Sequence, residues 1–315
     1  MVRLQDIHEA RDRIRRHIHR TPLLRSALLG AMAGVRLTVK AESFQKTGSF
    51  KARGIYNRVA LLGPEARARG VIGISAGNAA AALAWAGKAE GVAVTVVMPA
   101  HANPTKVEAT RAYGADVILH GDVFGAFAKM EELRDREGYT LVHPFNDEAV
   151  IAGHGTAGLE ILEDVPDADL VLVPTGGGGL LSGISVAIKS LRPATRVIGV
   201  EPEGAACVRA AIDAGRPVRL DRITTIADGL APPATGDIVL EHVRAFTDDV
   251  VTVQDRHILD AAVLIMTRTK LVVEPSGAAG LAALVAGRIA VQPNDSVVIV
   301  ASGGNADAQK MRSGL

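Results

Sequence analysis

The sequence predicts an α/β protein with open, mostly parallel sheets and helices on both faces of them. From about residue 36 onward, short runs of β-branched residues alternate with alanine-rich stretches of helical character, as in strands joined by helical crossovers. The chain has 315 residues, 48% of them hydrophobic, which is enough to bury two compact lobes or one large domain. The predicted strands are 37–41, 71–74, 93–98, 116–119, 170–173, 197–200, 250–253 and 297–301.

Composition narrows the class of function. Lys and Arg number 35 against 34 Asp and Glu, so the basic surface typical of nucleic-acid or membrane-surface proteins is missing. No apolar stretch approaches the roughly 20 residues that span a bilayer. The only cysteine, Cys207, excludes an internal disulfide and fits a reducing cytoplasm. We therefore expect a cytoplasmic protein acting on a small molecule, without nucleic-acid or membrane partners.

Two segments lie outside the alternating pattern. In the first twenty residues, apolar side chains recur near helical spacing among arginines and acids, which predicts a basic helix packed on the body rather than a secretion signal. Residues 216–236 contain three prolines and no clear core element. They predict a long connection crossing the surface.

Ligands of open parallel sheets bind beyond the carboxyl ends of the strands, and the first strand ends in a lysine-containing motif. After residues 37–41 comes a polar turn, and then a helical segment that starts near Ser49 and carries Lys51 in its first turn. A lysine gains little at the positive end of a helix, whereas an imine with an aldehyde cofactor could use such a site. Taken alone, Lys51 could equally be an ordinary surface lysine.

The second and fourth motifs are short polar turns. Ser75-Ala76-Gly77-Asn78 precedes a helix, whose unpaired N–H groups can receive a carboxylate while the Asn78 amide bonds an aromatic hydroxyl. The alternative is that Asn78 only caps its helix. Ser302-Gly303-Gly304-Asn305 follows the last strand, and its hydroxyl could meet a ring nitrogen. An ordinary glycine turn is the alternative there.

The third motif, residues 174–180, places four consecutive glycines between a buried strand and an apolar helix. Glycine N–H groups and the helix dipole together favour a bound phosphate. Glu201, about twenty residues later, suits a dinucleotide site. However, Leu181 or Ser182 stands where that motif needs Gly or Ala, so neither register fits cleanly.

Together the four motifs resemble the fold type II pyridoxal-phosphate enzymes, from Thr21-Pro22-Leu23 to residue 305. Within this family the similarity is to threonine (serine) dehydratases and serine racemases, in residues 47–54, 143–145 and 274–278. The resemblance implies a two-lobed, tryptophan synthase β-like fold with pyridoxal phosphate in the cleft. Residues 1–69 and 147–315 would form the large domain, and residues 70–146 a smaller inserted one. It also implies a homodimer or higher homo-oligomer.

The resemblance further implies roles for individual residues. Lys51 would hold the cofactor as a Schiff base and act as the base, with Phe50 beside the pyridine ring. Asn78 would bond the ring hydroxyl and Ser302 would face the ring nitrogen. The phosphate would take amides from Gly176, Gly177, Gly178, Gly179 and Leu180. The substrate carboxylate would lie on Ser75, Ala76, Gly77, Asn78 and Ala79. Two further positions near the cofactor are Gly229 and Glu274.

A serine hydroxyl does not hold the ring nitrogen protonated, which favours elimination over a long-lived carbanion. The expected reaction is β-elimination from L-threonine or L-serine, giving ammonia and 2-oxobutyrate or pyruvate. A serine racemase and a 3-hydroxyaspartate-type dehydratase are the enzyme alternatives. Racemisation needs an acid on the opposite face of the α-carbon, where similar racemases carry serine and this chain has Ala76. A nucleotide-binding oxidoreductase and a non-catalytic cofactor binder are the alternatives of another class.

Three departures from the family's pattern affect the expectations. Ala79 replaces a usual histidine, which leaves the preferred hydroxy amino acid open. The cation ligands of racemase-like members match Glu201, Ala205 and Cys207, and a thiol among them makes Mg²⁺ or Ca²⁺ unexpected, so we predict no metal. Finally, the sequence stops soon after residue 305, and feedback control by isoleucine is not expected.

Overall fold

The computed structural model describes residues 1–306, which form two separate sheets. The larger sheet has the order β1-β2-β10-β7-β8-β9 and the smaller one β5-β4-β3-β6. All neighbouring strands are parallel except β1 and β2. The strands are β1 Leu23–Arg25, β2 Arg36–Ala41, β3 Val71–Ile74, β4 Val94–Met98, β5 Asp116–Leu119, β6 Thr140–Leu141, β7 Leu170–Pro174, β8 Arg196–Pro202, β9 Asp249–Val253 and β10 Ser296–Ala301.

The fold class is as predicted, and all eight predicted strands are present. The two strands that the sequence did not predict, β1 and β6, have only three and two residues. Such short strands carry no readable alternation of apolar and polar residues. The smaller sheet is built entirely from residues inside the predicted insertion, although its core also takes Ile14, Ile55 and Tyr56 from outside it.

Helices cover both faces of each sheet. They are α1 Leu4–Ile14, α2 Ala27–Ala33, α3 Lys51–Ala60, α4 Pro64–Arg69, α5 Asn78–Glu90, α6 Pro104–Ala112, α7 Val123–Glu137, α8 Glu148–Asp164, α9 Gly179–Leu191, α10 Cys207–Ala214, α11 Asp237–Phe246, α12 Asp255–Thr269 and α13 Pro275–Val285. Local signals set several of their ends. The side chains of Ser26, Asn103, Asp122 and Asp147 accept N–H bonds at helix N-termini, which satisfies donors that the helix leaves unpaired.

The central strands β7 and β10 of the large sheet are buried at every residue, and all of these residues except Ser296 are apolar. Leu170 and Leu172 face the core under α2, α12 and α13. Val171 and Val173 face the opposite core, under α1, α8, α9 and α11. This two-sided burial explains why the strands read as continuous apolar runs.

The prediction for the N-terminal helix is confirmed, whereas the prediction for residues 216–236 is partly wrong. The predicted basic helix is α1, which buries Ile7 and Ile14. The prediction that residues 216–236 cross the surface is wrong for the second half of the segment, where Ala227 and Leu230 are buried in the large core. Their apolar side chains contribute more to the fold inside than on the surface. Within residues 1–306 no helix is both long and apolar enough to span a membrane.

Candidate active site

Lys51 is the first residue of α3, at the centre of the candidate site. Its Nζ donates a hydrogen bond to the Pro144 carbonyl at 2.6 Å and lies 5.0 Å from the centre of the Phe50 ring. In residues 1–306 no carboxylate forms an ion pair with it. Burial lowers the pKa of Lys51 from 10.5 to about 8, because a low-dielectric surrounding disfavours the charged amine. The lowered pKa makes the neutral, nucleophilic amine more accessible in Lys51 than in an ordinary surface lysine.

The last strand-end motif holds the segment that leads into Lys51. The Phe50 N–H bonds the Ser302 carbonyl at 3.0 Å, and the Gly304 N–H bonds the Gly48 carbonyl at 2.9 Å. Ser49 pairs with Gly303 in an isolated bridge. The first and fourth motifs thus form one unit, with Ser302 buried beside the Lys51 segment.

The glycine loop, residues 176–179, offers free donors at the start of α9. Each backbone N–H from Gly176 to Leu181 donates to no group in the part of the chain that the structure describes. Most of these residues are buried, and unpaired buried donors are costly unless a ligand accepts from them. Gly178 has a φ of +89°, which points successive N–H groups inward as anion-binding loops require. The loop therefore fits a phosphate.

Phe145 brings the glycine loop next to Lys51. A Cβ atom on Gly179 would lie 2.9 Å from both the carbonyl oxygen and the Cβ of Phe145, so the loop backbone packs closely against Phe145. The preceding residue is Pro144, whose carbonyl accepts from Lys51. The Lys51 amine and the glycine loop, which we call the phosphate cradle, therefore both contact the Pro144-Phe145 segment.

A second set of free donors lies at the start of α5. The Gly77 N–H bonds Ser75 Oγ at 3.1 Å, while the N–H groups of Ala76, Asn78 and Ala79 donate to no group within residues 1–306. The N-terminus of α5 is therefore open to a carboxylate.

The alternative that Asn78 caps α5 is wrong. Gly77 occupies the cap position without a side-chain bond. The Asn78 amide instead donates to Glu274 Oε1 at 2.7 Å and accepts from Asn305 Nδ2 at 2.8 Å. Its orientation is thus fixed from both sides, facing the site rather than the helix backbone.

Glu274 and Gly229 meet at the same place. Burial first, and the nearby Asp228 second, raise the pKa of Glu274 to about 7, against the opposing hydrogen bond from Asn78. The Gly229 N–H bonds Ser276 Oγ at 3.0 Å. A Cβ on Gly176 would lie 3.2 Å from the Gly229 carbonyl. The predicted residues of all four motifs are therefore brought together.

His143 and Pro144 have a place in the site that the sequence did not predict. His143 Nδ1 accepts from the N–H groups of Phe145 and Asn146, and burial first, then the Lys51 charge, lowers the pKa of His143 to about 4. The neutral ring thus shapes the turn that presents the Pro144 carbonyl. This turn follows β6, so the strand-end rule would have found it had β6 been recognised.

Glu201 does not serve as a dinucleotide ligand. It is fully buried, and its two carboxylate oxygens accept from the N–H groups of Val208 and Arg209 at 2.8 Å each, at the start of α10. Cys207 is buried, and its thiol donates to the Gly176 carbonyl at 3.5 Å. In residues 1–306 no group of three or more His, Cys, Asp and Glu side chains could hold a metal ion.

His154, which packs behind Phe50, leads to a stability prediction. The two rings meet edge to face with 4.8 Å between centres, and neither His154 nitrogen has a hydrogen-bond partner within residues 1–306. Burial holds the pKa of His154 well below its usual range, so the ring is neutral. Because an unpaired buried polar group costs about 1–3 kcal/mol, His154→Met is expected to raise the free energy of unfolding by about 1 kcal/mol.

The matched control is His242→Met. His242 is equally buried, but its nitrogens bond the Val2 N–H and the Ile238 carbonyl, so its loss should lower the free energy of unfolding. Urea unfolding of both variants measures the two changes in the free energy of unfolding. An equal loss of stability in the two would contradict the reading of His154.

An amine of lowered pKa lies between two sets of free N–H groups: the glycine loop, which is the phosphate cradle, and the start of α5, which we call the carboxylate cradle. This arrangement defines a class: enzymes that bind a phosphorylated aldehyde cofactor through lysine. Comparison with known proteins gives the same class. The sequence profile of the family described as "Pyridoxal-phosphate dependent enzyme" matches residues 14–303. The chain belongs to this family, and its cofactor is pyridoxal phosphate.

Relatives share nearly the whole chain. The L-threonine ammonia-lyase of Thermotoga maritima is 44% identical over 308 residues, which cover 98% of this chain and 76% of that protein. The catabolic L-threonine dehydratase of Escherichia coli strain K12 is 39% identical, covering 98% of this chain and 95% of that one. The solved structure of maize serine racemase superimposes with a TM-score of 0.94 at 37% identity, over 99% of this chain and 96% of that one.

Proposed function

We propose that this protein deaminates L-threonine, and more slowly L-serine, with the cofactor bound to Lys51. The β-hydroxyl leaves as water, and one water is taken up again when the resulting imine is hydrolysed to the keto acid and ammonia. The products are 2-oxobutyrate or pyruvate, and ammonia. The observation that carries the proposal is the Lys51 amine, with its pKa lowered to about 8, between the two sets of free N–H groups. The names of the Thermotoga and Escherichia relatives support the same reaction.

Each group has a task in this reaction. Bound pyridoxal phosphate supplies an electron-withdrawing ring that acidifies the α-carbon of the amino acid. The N–H groups of residues 176–180 would hold the phosphate, and the free N–H groups of Ala76, Asn78 and Ala79 would hold the substrate carboxylate. Lys51, once its amine is free, takes the α-proton. Ser302 would meet the ring nitrogen with a hydroxyl, which does not hold that nitrogen protonated, and Phe50 would pack against the ring.

The opposite face of the α-carbon supports elimination over racemisation. The resemblance to serine racemases assigns this face to Ala76, whose methyl group cannot donate a proton. A serine racemase remains the alternative, favoured by the likeness to the maize enzyme.

A small cavity supports threonine over acidic substrates. It measures about 10 Å³, close to the smallest space that holds one water molecule, and its apolar walls include Ile55, Ile74, Leu83 and Val142. Ala79 of the carboxylate cradle and Pro144 beside Lys51 also line it. A methyl group fits this surrounding, whereas the second carboxylate of 3-hydroxyaspartate would lose its hydration without a partner.

The test is keto-acid release by the holoenzyme from L-threonine, L-serine and 3-hydroxyaspartate. We expect threonine to have the highest kcat/KM, by about tenfold or more over serine, which is the range for one buried methyl group. Exchange of the α-proton without ammonia release would favour the racemase. A cofactor-bound protein with no turnover would favour a simple binder, and NAD binding without a bound pyridoxal group would favour an oxidoreductase.

Cofactor capture by the cofactor-free protein is expected to speed up as pH rises through about 8. Only the unprotonated amine attacks an aldehyde, and the pKa of Lys51 is lowered from 10.5 to about 8. Below that pH the amine is protonated and capture slows. The measurement is the rate of appearance of the bound-cofactor absorption band between pH 6 and 10, with free N-acetyl-lysine as control. A midpoint near 10 would show that Lys51 is an ordinary lysine.

We also propose a cytoplasmic homo-oligomer. The single buried cysteine fits a reducing compartment. Leu28 and Met32 on α2 and Val263 on α12 leave apolar side chains exposed on two helices that pack together, as at the contacts between identical subunits. Sedimentation velocity tests the assembly, and a monomer at micromolar concentration would refute it.

A further inference from the structure

A cluster of four buried charges lies beneath the segment that carries Lys51. It contains two cations, Lys40 and Arg53, and two anions, Glu42 and Glu160. Three of these residues are 0% exposed, namely Lys40, Glu42 and Arg53, and Glu160 is 8% exposed. The charges balance, so the cluster as a whole carries no net charge into the interior.

Arg53 is the hub of this cluster. Its Nε and Nη2 donate to the two oxygens of Glu42 at 2.8 Å each, and its Nη1 and Nη2 donate to the two oxygens of Glu160 at 2.8 Å each. Thr156 Oγ1 accepts a further bond at 3.1 Å. Lys40 Nζ donates to Glu160 at 2.5 Å and to the Thr21 carbonyl at 2.8 Å. Two bidentate pairs on one guanidinium fix its position and orientation.

The connectivity relates this hub to Lys51. Glu42 follows β2 and precedes Lys51, and Arg53 follows Lys51 on α3, so their pairing ties together both ends of the segment that presents the amine. Glu160 lies on α8, which begins shortly after Pro144. Lys51 donates its hydrogen bond to Pro144, and α8 follows Pro144 in the chain. Arg53 therefore joins the segment that carries Lys51 to α8.

Stability alone does not account for such a cluster. Uncharged side chains of similar volume often replace a buried ion pair without loss of stability, since desolvation offsets the attraction of the charges. What a fully bonded cluster provides is one defined arrangement of the elements that it joins. Here those elements are the ones that place the amine.

We propose that Arg53, with Glu42 and Glu160, is a positioning device that fixes the Lys51 amine at the Pro144 carbonyl, between the two cradles. The inference rests on the proposed role of Lys51 in cofactor binding. Arg53 acts through Lys51 and touches neither cofactor nor substrate.

The first test separates positioning from folding. The double variant Glu42→Gln/Arg53→Met removes one charge of each sign and leaves the Lys40–Glu160 pair intact. We expect its thermal midpoint to stay within a few degrees of the parent, while Lys51 captures pyridoxal phosphate at least about tenfold more slowly, because small misplacements of a reacting group are costly. Capture is followed by absorption and by borohydride trapping on Lys51. Capture at the parent rate would overturn the proposal.

Two single variants cover the case in which the double variant does not fold. Arg53→Lys keeps the positive charge but loses the planar guanidinium that forms bidentate bonds to carboxylates. It should slow cofactor capture by a factor between those of the parent and the double variant. Ile265→Ala removes a buried side chain of α12, away from the site, and should lower the thermal midpoint without slowing capture. Equal slowing at equal loss of stability would mean that the cluster is only structural. A parent protein that captures no cofactor on Lys51 would instead refute the proposed function itself.

Discussion

Lys51→Ala is expected to lower keto-acid formation from threonine roughly ten-thousand-fold and to abolish the absorption band of lysine-bound cofactor. In the proposed reaction the variant would lose both the covalent anchor and the base at the α-carbon, and general-base catalysis alone contributes about 10²–10⁴-fold. The fold should remain, because Nζ makes a single hydrogen bond, to the Pro144 carbonyl, and its burial opposes its charge. The thermal midpoint should therefore not fall.

Lys46→Ala is the matched control for this prediction. Lys46 belongs to the same polar segment and lies only partly buried just before Gly48, with no ion pair in the described residues. Its removal should leave turnover within about twofold of the parent, the usual size of a surface effect on free energy. Comparable loss in both variants would point to a disturbed segment rather than to Lys51 chemistry.

Gly178→Ala is expected to weaken pyridoxal phosphate binding by at least about tenfold. The residue has a φ of +89°, which costs an L-residue about 1–2 kcal/mol, and a Cβ there would lie 2.5 Å from Val239 Cγ1. The loop must shift to relieve this contact, and the inward N–H groups shift with it. Titration of the cofactor-free protein with pyridoxal phosphate measures the effect.

Gly287→Ala is the control variant that separates the effect of backbone strain from the effect of a displaced glycine loop. Gly287 also has a positive φ, +67°, but a Cβ there meets no atom within 4 Å, and the residue is remote from the glycine loop. It should cost some stability and leave cofactor affinity unchanged. If both variants bind the cofactor equally well, the glycine loop is not the phosphate cradle.

The sequence predicted the parts of the site that depend on local pattern. The N–H groups of residues 176–179 and of Ala76, Asn78 and Ala79 are available because a strand ends and a helix begins there, and both events are visible in the chain. The β-branched runs likewise marked the central strands, since burial on both faces demands apolar residues throughout.

The remainder of the site depends on contacts distant in sequence. The bond from Asn78 to Glu274 joins residues 196 positions apart, and that from Arg53 to Glu160 joins residues 107 apart, so neither leaves a local signal. The Pro144 carbonyl was missed because β6 has only two residues. The buried course of Ala227 and Leu230 was missed because prolines nearby resemble a surface loop.

The central claim is that Lys51 carries the cofactor. The most direct measurement is borohydride reduction of the purified, cofactor-saturated protein, followed by digestion and mass spectrometry of the lysine peptides. We expect bleaching of the visible band and a phosphopyridoxyl group on the peptide that contains Lys51, in close to one equivalent per chain. A label on another lysine, or a protein that retains no phosphopyridoxyl group, would contradict it.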